Sequence, residues 1–158
     1  MAMFMETTKV EDVTTVAEIQ RLLATRGASS VMVEYKDGRV DGLAFRFRVG
    51  EQEVPFRLPC RWQAIESLLK RKGKRATAGD SIEAKSRRIA WRQILRWVEA
   101  QLALIETGMV KTQEVFLPYA IVRGAGDDPG GTMFEVMERR SFLLSEAAND
   151  AASERAWR

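Results

Sequence analysis

Asp37-Gly38 sits between two runs of alternating apolar residues, and this arrangement constrains the fold more than any other feature of the chain. Val31, Val33 and Tyr35 lead into it. Leu43, Phe45, Phe47 and Val49 follow, alternating with Ala44, Arg46 and Arg48. An Asp-Gly pair between period-two runs specifies a tight hairpin, because both turn positions take positive φ. A second turn around Gly50-Glu51-Gln52 leads to Val54, Phe56 and Leu58, alternating with Arg57. Pro55 in that run has no amide hydrogen to donate, which places it on an edge strand. The expectation is a three-stranded antiparallel meander, apolar on one face, with Arg46, Arg48 and Arg57 on the other, either as plain solvated charge, the favoured reading, or as a second part of an anion site.

The apolar face has to be covered, and the flanking helices are the candidates. Thr15-Val-Ala-Glu18 matches a capping box, Val16, Ile19, Leu22 and Leu23 recur at helical spacing, and Gly27 closes the segment. After the meander, Trp62, Ile65, Leu68 and Leu69 mark a short helix that runs into the basic loop KRKGKRATAGDS. Asp80 and Glu83 then signal the start of a long helix reaching about Gly108. Trp91, Ile94, Leu95, Val98, Leu102, Ile105 and Met109 share one stripe of it, so Trp91, like Trp62, is assigned to the core. Ile89, Trp97, Ala100 and Leu104 form a second strip on roughly the opposite side. A helix apolar on two sides is central in its fold or shared with another subunit. Trp97 and Leu104 are therefore expected at a homo-oligomer contact.

Gly124 to Gly131, with Asp127, Asp128 and Pro129, reads as a loop, and Thr132 to Leu144 as a docked strand or helix. The predicted class is α+β: a three-stranded antiparallel β-meander packed by helices, with one long basic helix. Residues 1–144 form one domain, and 145–158 form a frayed tail.

Charge is distributed unevenly. Residues 61–97 carry eleven Lys and Arg against three acidic residues, although the whole chain is only +3. Within this segment Lys85, Arg88, Arg92 and Arg96 are spaced by 3, 4 and 4 residues, so they share one helix face. Like charges at such spacing repel by about 0.2–0.5 kcal/mol per pair, and a polyanion reverses the sign of that term. The expected phosphate contacts are Lys72, Lys74, Arg75, Lys85, Arg88, Arg92 and Arg96. The competing reading is neutralisation by acidic side chains such as Glu99 or Glu106.

Catalytic chemistry has little to work with. There is no histidine and a single cysteine, Cys60, which excludes a Cys/His metal cluster, a His-based triad and an internal disulfide. Cys60 is expected to be a small buried thiol in a reducing cytoplasm. GAGDDPGG lacks the Lys-Ser/Thr of a phosphate loop. Glu34-Tyr-Lys36 matches only one piece of a restriction-type nuclease site, and Asp127-Asp128 are ordinary turn residues. No metal or cofactor is expected. No apolar run reaches the ~18 residues of a membrane helix, so no membrane association is expected either.

The order helix–strand–strand–strand–helix over about residues 12–108 resembles two nucleic-acid-binding architectures. One is the double-stranded-RNA-binding domain, although the helix near Trp62 to Lys70 interrupts that pattern. The other is the single-strand annealing proteins of recombination, which pair a meander with a long helix and assemble into rings. The segment RIAWRQILRWVEAQLALIETGMVKTQEVFLPY is also similar to a family of small phage- and prophage-encoded proteins. These resemblances imply non-enzymatic binding of nucleic acid, with single-stranded DNA favoured, in phage-type replication or recombination in the host cytoplasm. The alternative is a protein-binding module, such as an inhibitor of a host protein, that docks its basic helix on an acidic surface.

Overall fold

A computed structural model describes residues 2–75 and 79–141. The expected tail 145–158, the end of the 132–144 segment and the middle of the basic loop lie outside those residues. The chain folds as α+β. Helix α1 spans Asp12–Thr25, strands β1 Ser30–Lys36, β2 Arg39–Val49 and β3 Gln52–Pro59 follow, then α2 Trp62–Arg71 and α3 Ile82–Glu106. A short α4 (Thr112–Phe116) runs into a 3-10 turn (Leu117–Tyr119), and β4 (Ile121–Arg123), β5 (Gly130–Thr132) and α5 (Met133–Arg139) complete it.

The meander has the register that its alternation predicts except at the end of β1, where a bulge between Glu34 and Tyr35 shifts the pairing and Tyr35 is exposed rather than inward. Val31 and Val33 lie opposite Phe45 and Leu43, which in turn face Phe56 and Leu58, so every inward residue meets an inward neighbour. Asp37 and Gly38 both take positive φ, 51° and 73°, as a two-residue turn matched to strand twist requires. Pro55 is on edge strand β3, as expected. Beyond that edge Ala120 bridges Phe56, which brings the small β4–β5 hairpin alongside.

The inner face is closed by α1 and α3, with Val16, Ile19, Leu23, Trp91, Leu95 and Val98 in one core with Phe45 and Phe56. Each such side chain contributes about 1.5–3 kcal/mol by leaving water. Phe116 is fully buried, with its ring centre 5.4 Å from Phe45 and 5.7 Å from Trp97. It joins the sheet to the second strip of α3. Trp97 also meets Tyr119 edge-on at 5.4 Å, and Ile89 on the same strip is fully buried. Part of the second strip of α3, Ile89 and one side of Trp97, therefore finds partners within the chain, while Ala100 is exposed. The α4 segment and its 3-10 turn, which the periodicity did not mark as a helix, cover Trp97. Leu104 is half-buried. Among the described residues no helix is long and apolar enough to cross a membrane.

Three local expectations shift. Helix α1 begins three residues before Thr15, whose buried hydroxyl donates back to the Glu11 carbonyl inside the helix rather than capping it. The cap of α3 is Ser81, whose Oγ accepts from the Ala84 amide at 3.0 Å, and not Asp80. Residues 132–139 resolve as a helix start, with Thr132 and Glu135 forming the capping box of α5.

Candidate nucleic-acid interface

The basic stripe of α3 is not an open row of charge. Arg88 is only 10% exposed along its side chain; its Nη2 donates to Asp80 at 2.5 Å, and Glu11 lies 4.0 Å away. Asp80 is held below the usual carboxylate range by that donation, and Arg88 is pushed up by the same bond. Arg92 is 12% exposed and pairs with Glu18 at 3.0 Å. Arg96, at 43%, pairs with Glu99 one turn on at 2.7 Å. The pairs Glu11–Arg88, Glu18–Arg92 and Arg26–Glu106 ascend together in both helices, so α1 and α3 run the same way and are joined by alternating charge.

This corrects the expected site at Arg88 and Arg92. Desolvating two guanidinium groups requires a fixed partner for each: Asp80, just before α3, supplies that of Arg88, and Glu18 on α1 that of Arg92. The neutralising acids are mainly Asp80, Glu11 and Glu18. Of the two candidates read from the sequence, Glu99 pairs with the stripe, whereas Glu106 pairs with Arg26. Glu11 and Glu18 were legible as an i,i+7 pair on the first helix, but nothing local links them to arginines some seventy residues away. Arg87 is structural too, donating to Glu83 and to the Val40 carbonyl while stacking 4.3 Å over Trp62.

The remaining basic residues cluster around the α2–α3 connection. Helix α2 ends in Gly73 at φ 67°, with the Gly73 amide donating to the Lys70 carbonyl and the Lys74 amide to the Leu69 carbonyl. That paired closure turns the chain sharply and leaves the carbonyl end of α2 facing Lys70, Arg71, Lys72 and Lys74, where cations are favoured. Lys70 pairs with Glu66 at 3.1 Å and Lys74 with Glu6 at 3.2 Å. Glu6 is held below its ordinary value first by the Met3 amide and then by Lys74. Arg71 and Arg75 are exposed and make no ion pair among the described residues. Lys85, one turn into α3, also makes none, although its charge helps to lower Asp80.

Lys85 stands near the amide end of α3, where the helix dipole disfavours a cation by about 0.3–1 kcal/mol. An external anion would relieve that cost. Of the seven expected contacts, Arg75 and Lys85 therefore remain free of ion pairs, and Lys72 is exposed. Lys74 and Arg96 are exposed but already paired, and Arg88 and Arg92 are sequestered. Arg71 was missed, although it lies in the same basic run.

The other candidates from the sequence have ordinary roles. Arg57 Nε donates to both oxygens of Glu34 at 2.7 and 2.9 Å across β2, which engages the carboxylate of the nuclease-like fragment. Asp128 accepts from the Gly130 amide at 2.8 Å and from Arg139 at 2.7 Å, as a turn residue does. Cys60 is buried, which pushes its thiol up to about 12 and makes it a core residue. Among the described residues no group of three metal-ligating side chains comes together.

The chain matches no protein-family model, no curated protein and no solved structure. Function has to be argued from the site itself.

Proposed function

We propose that the protein binds nucleic acid without transforming it, through the α2–α3 connection. The observation that carries this reading is that Arg71, Arg75 and Lys85 lack ion pairs among the described residues, whereas the arginines deeper in α3 each hold a carboxylate. Charge that folding has not neutralised is available to phosphates, and its attraction requires no particular base sequence. Single-stranded DNA is the favoured ligand, in line with the resemblance to annealing proteins.

Mobility shift on single- and double-stranded DNA and RNA, repeated across salt, tests the reading. Each phosphate contact adds about 0.7–0.9 to the log–log salt slope. Substituting Arg71, Arg75 and Lys85 together by Gln should lower that slope by about 2–3. An unchanged slope in the folded variant would remove this site. Absence of nucleic-acid binding by the wild-type chain at low salt would overturn the function, and the patch would then be a dock for an acidic protein surface.

A further inference from the structure

A cleft of about 510 Å³ opens between α2, α3 and the segment from the 3-10 turn to α5, separate from the basic connection. Its walls include Ile65, Ile94, Trp97, Tyr119 and Phe134. Apolar pockets of about 300–1,000 Å³ with a few fixed polar groups are the usual form of a small-molecule site. Among the described residues Arg61 is the only charged one in the lining. It is exposed, has no ion pair among the described residues, and rests with its guanidinium carbon 5.6 Å from the centre of the Phe134 ring.

Among the described residues the polar neighbours make no hydrogen bond or ion pair to that cation, although the charge of Glu135 acts on it from a distance. Gln93 in the lining donates its amide nitrogen to the Phe4 carbonyl at 2.8 Å, so its side chain is already positioned from outside the cleft. Glu135 accepts from the Thr132 amide at 2.8 Å, which is the main reason its carboxyl lies below the ordinary range, with smaller lowering by the charges of Arg57 and Arg61. A space with aromatic walls and one positive charge at its edge complements a ligand with the opposite layout.

We propose that this cleft binds a small aryl carboxylate, with the aromatic body among Trp97, Tyr119 and Phe134 and the carboxylate on Arg61. The guanidinium offers a planar fork that matches a carboxylate with two parallel hydrogen bonds. The ring stack on Phe134 holds the fork at the rim without neutralising it. The site is independent of the nucleic-acid reading and uses none of the residues assigned there.

The probe is 1-naphthoate, with 1-naphthamide as its uncharged counterpart, titrated against the full chain. Trp97 lines the cleft, so quenching of tryptophan emission reports occupancy, and calorimetry supplies an independent affinity. Naphthoate should bind about tenfold more tightly than naphthamide, the preference of a charge-assisted pair over a neutral one. Arg61→Gln should abolish that preference while retaining naphthamide binding. Ala64→Trp, at an exposed lining position of α2, should fill the cleft and abolish binding of both while leaving thermal unfolding unchanged. Equal affinity for the two probes, or no binding of naphthoate by the folded wild-type chain, would overturn the proposal. Persistence of both affinities in Ala64→Trp would also overturn it, by placing the ligand elsewhere.

Discussion

Arg88 and Arg75 both belong to the basic stretch 61–97, and the fold uses them in opposite ways. Arg88 is nine-tenths buried, bonded to Asp80 and near Glu11, and helps hold α1 and α3 in place. Arg75 stands exposed on a connection with no carboxylate partner among the described residues. In the sequence the helical stripe looked the stronger binding motif, because its spacing was regular. Regular spacing on a helix is also what a partner helix needs, and α1 presents Glu11 and Glu18 to meet it. A periodic row of charge therefore indicates that something opposes it, without saying whether that partner belongs to the same chain. Of the irregular loop charge, Lys70 and Lys74 have acids of their own, Glu66 and Glu6, whereas Arg71 and Arg75 have none among the described residues.

The sharpest way to break this comparison is to remove a guanidinium from each region and read stability and binding together. Arg88→Ala leaves the carboxylates of Asp80 and Glu11 facing each other without their cation. It should cost about 2–3 kcal/mol, the range for breaking a largely desolvated, charge-assisted contact. For a domain of this length that lowers Tm by about 5–10 °C. The nucleic-acid salt slope should not change. Arg75→Ala should do the reverse, staying within about 0.5 kcal/mol of wild type while losing one phosphate contact from the slope. Differential scanning calorimetry and salt titration on the two variants decide the matter. A stable Arg88→Ala protein with a reduced slope would return the stripe to the binding surface.

Arg96 lies between the two regions, paired but open to solvent, and it sharpens the comparison by gain rather than loss. Glu99→Gln removes its carboxylate at a stability cost of about 0.3–0.5 kcal/mol, typical of an exposed helical pair. If the nucleic acid extends from the connection along α3, the freed guanidinium should steepen the slope by about 0.7–0.9. An unchanged slope would confine the bound strand to the connection.

Much of the architecture was legible because strand alternation and turn chemistry are local. The positive φ at Asp37 and Gly38 and the facing rows Leu43–Leu58 and Phe45–Phe56 follow from neighbours a few residues apart. What was not legible was pairing over distance. Trp97 read as a subunit contact because its cover, Phe116 and Tyr119, comes from a short helical segment with too few residues to show a period. Arg92 read as a phosphate ligand because its acid, Glu18, lies in the first helix on the far side of the meander. Arg61 stood out in neither charge spacing nor apolar periodicity. Its significance comes from a cavity lined by four separate stretches of chain.

Acid should dissolve the distinction between the two regions, and the sign follows from Asp80. Donation from Arg88 holds its carboxyl below the ordinary range in the folded state. A depressed native value means the bond stabilises the fold fully above the unfolded carboxylate's pKa, about 3.9, and is lost as pH falls through the native value. Glu6 and Asp128 are lowered as well, so acid unfolding of the wild type alone mixes several groups. The difference between wild type and Asp80→Asn isolates one of them. Asn keeps an oxygen for Arg88 to donate to and lacks only the charge. The Tm gap between the two proteins should stay constant from pH 7 to about 5 and close progressively below about 4, because protonated Asp80 then resembles Asn. Arg71 and Arg75 have no such partner to lose, so in Arg71→Gln/Arg75→Gln the gap to wild type should not depend on acid. A gap that persisted for Asp80→Asn at pH 2 would show that the charge on Asp80 contributes nothing to holding Arg88. The seam between α1 and α3 would then rest on the Glu18–Arg92 and Arg26–Glu106 pairs and on apolar packing.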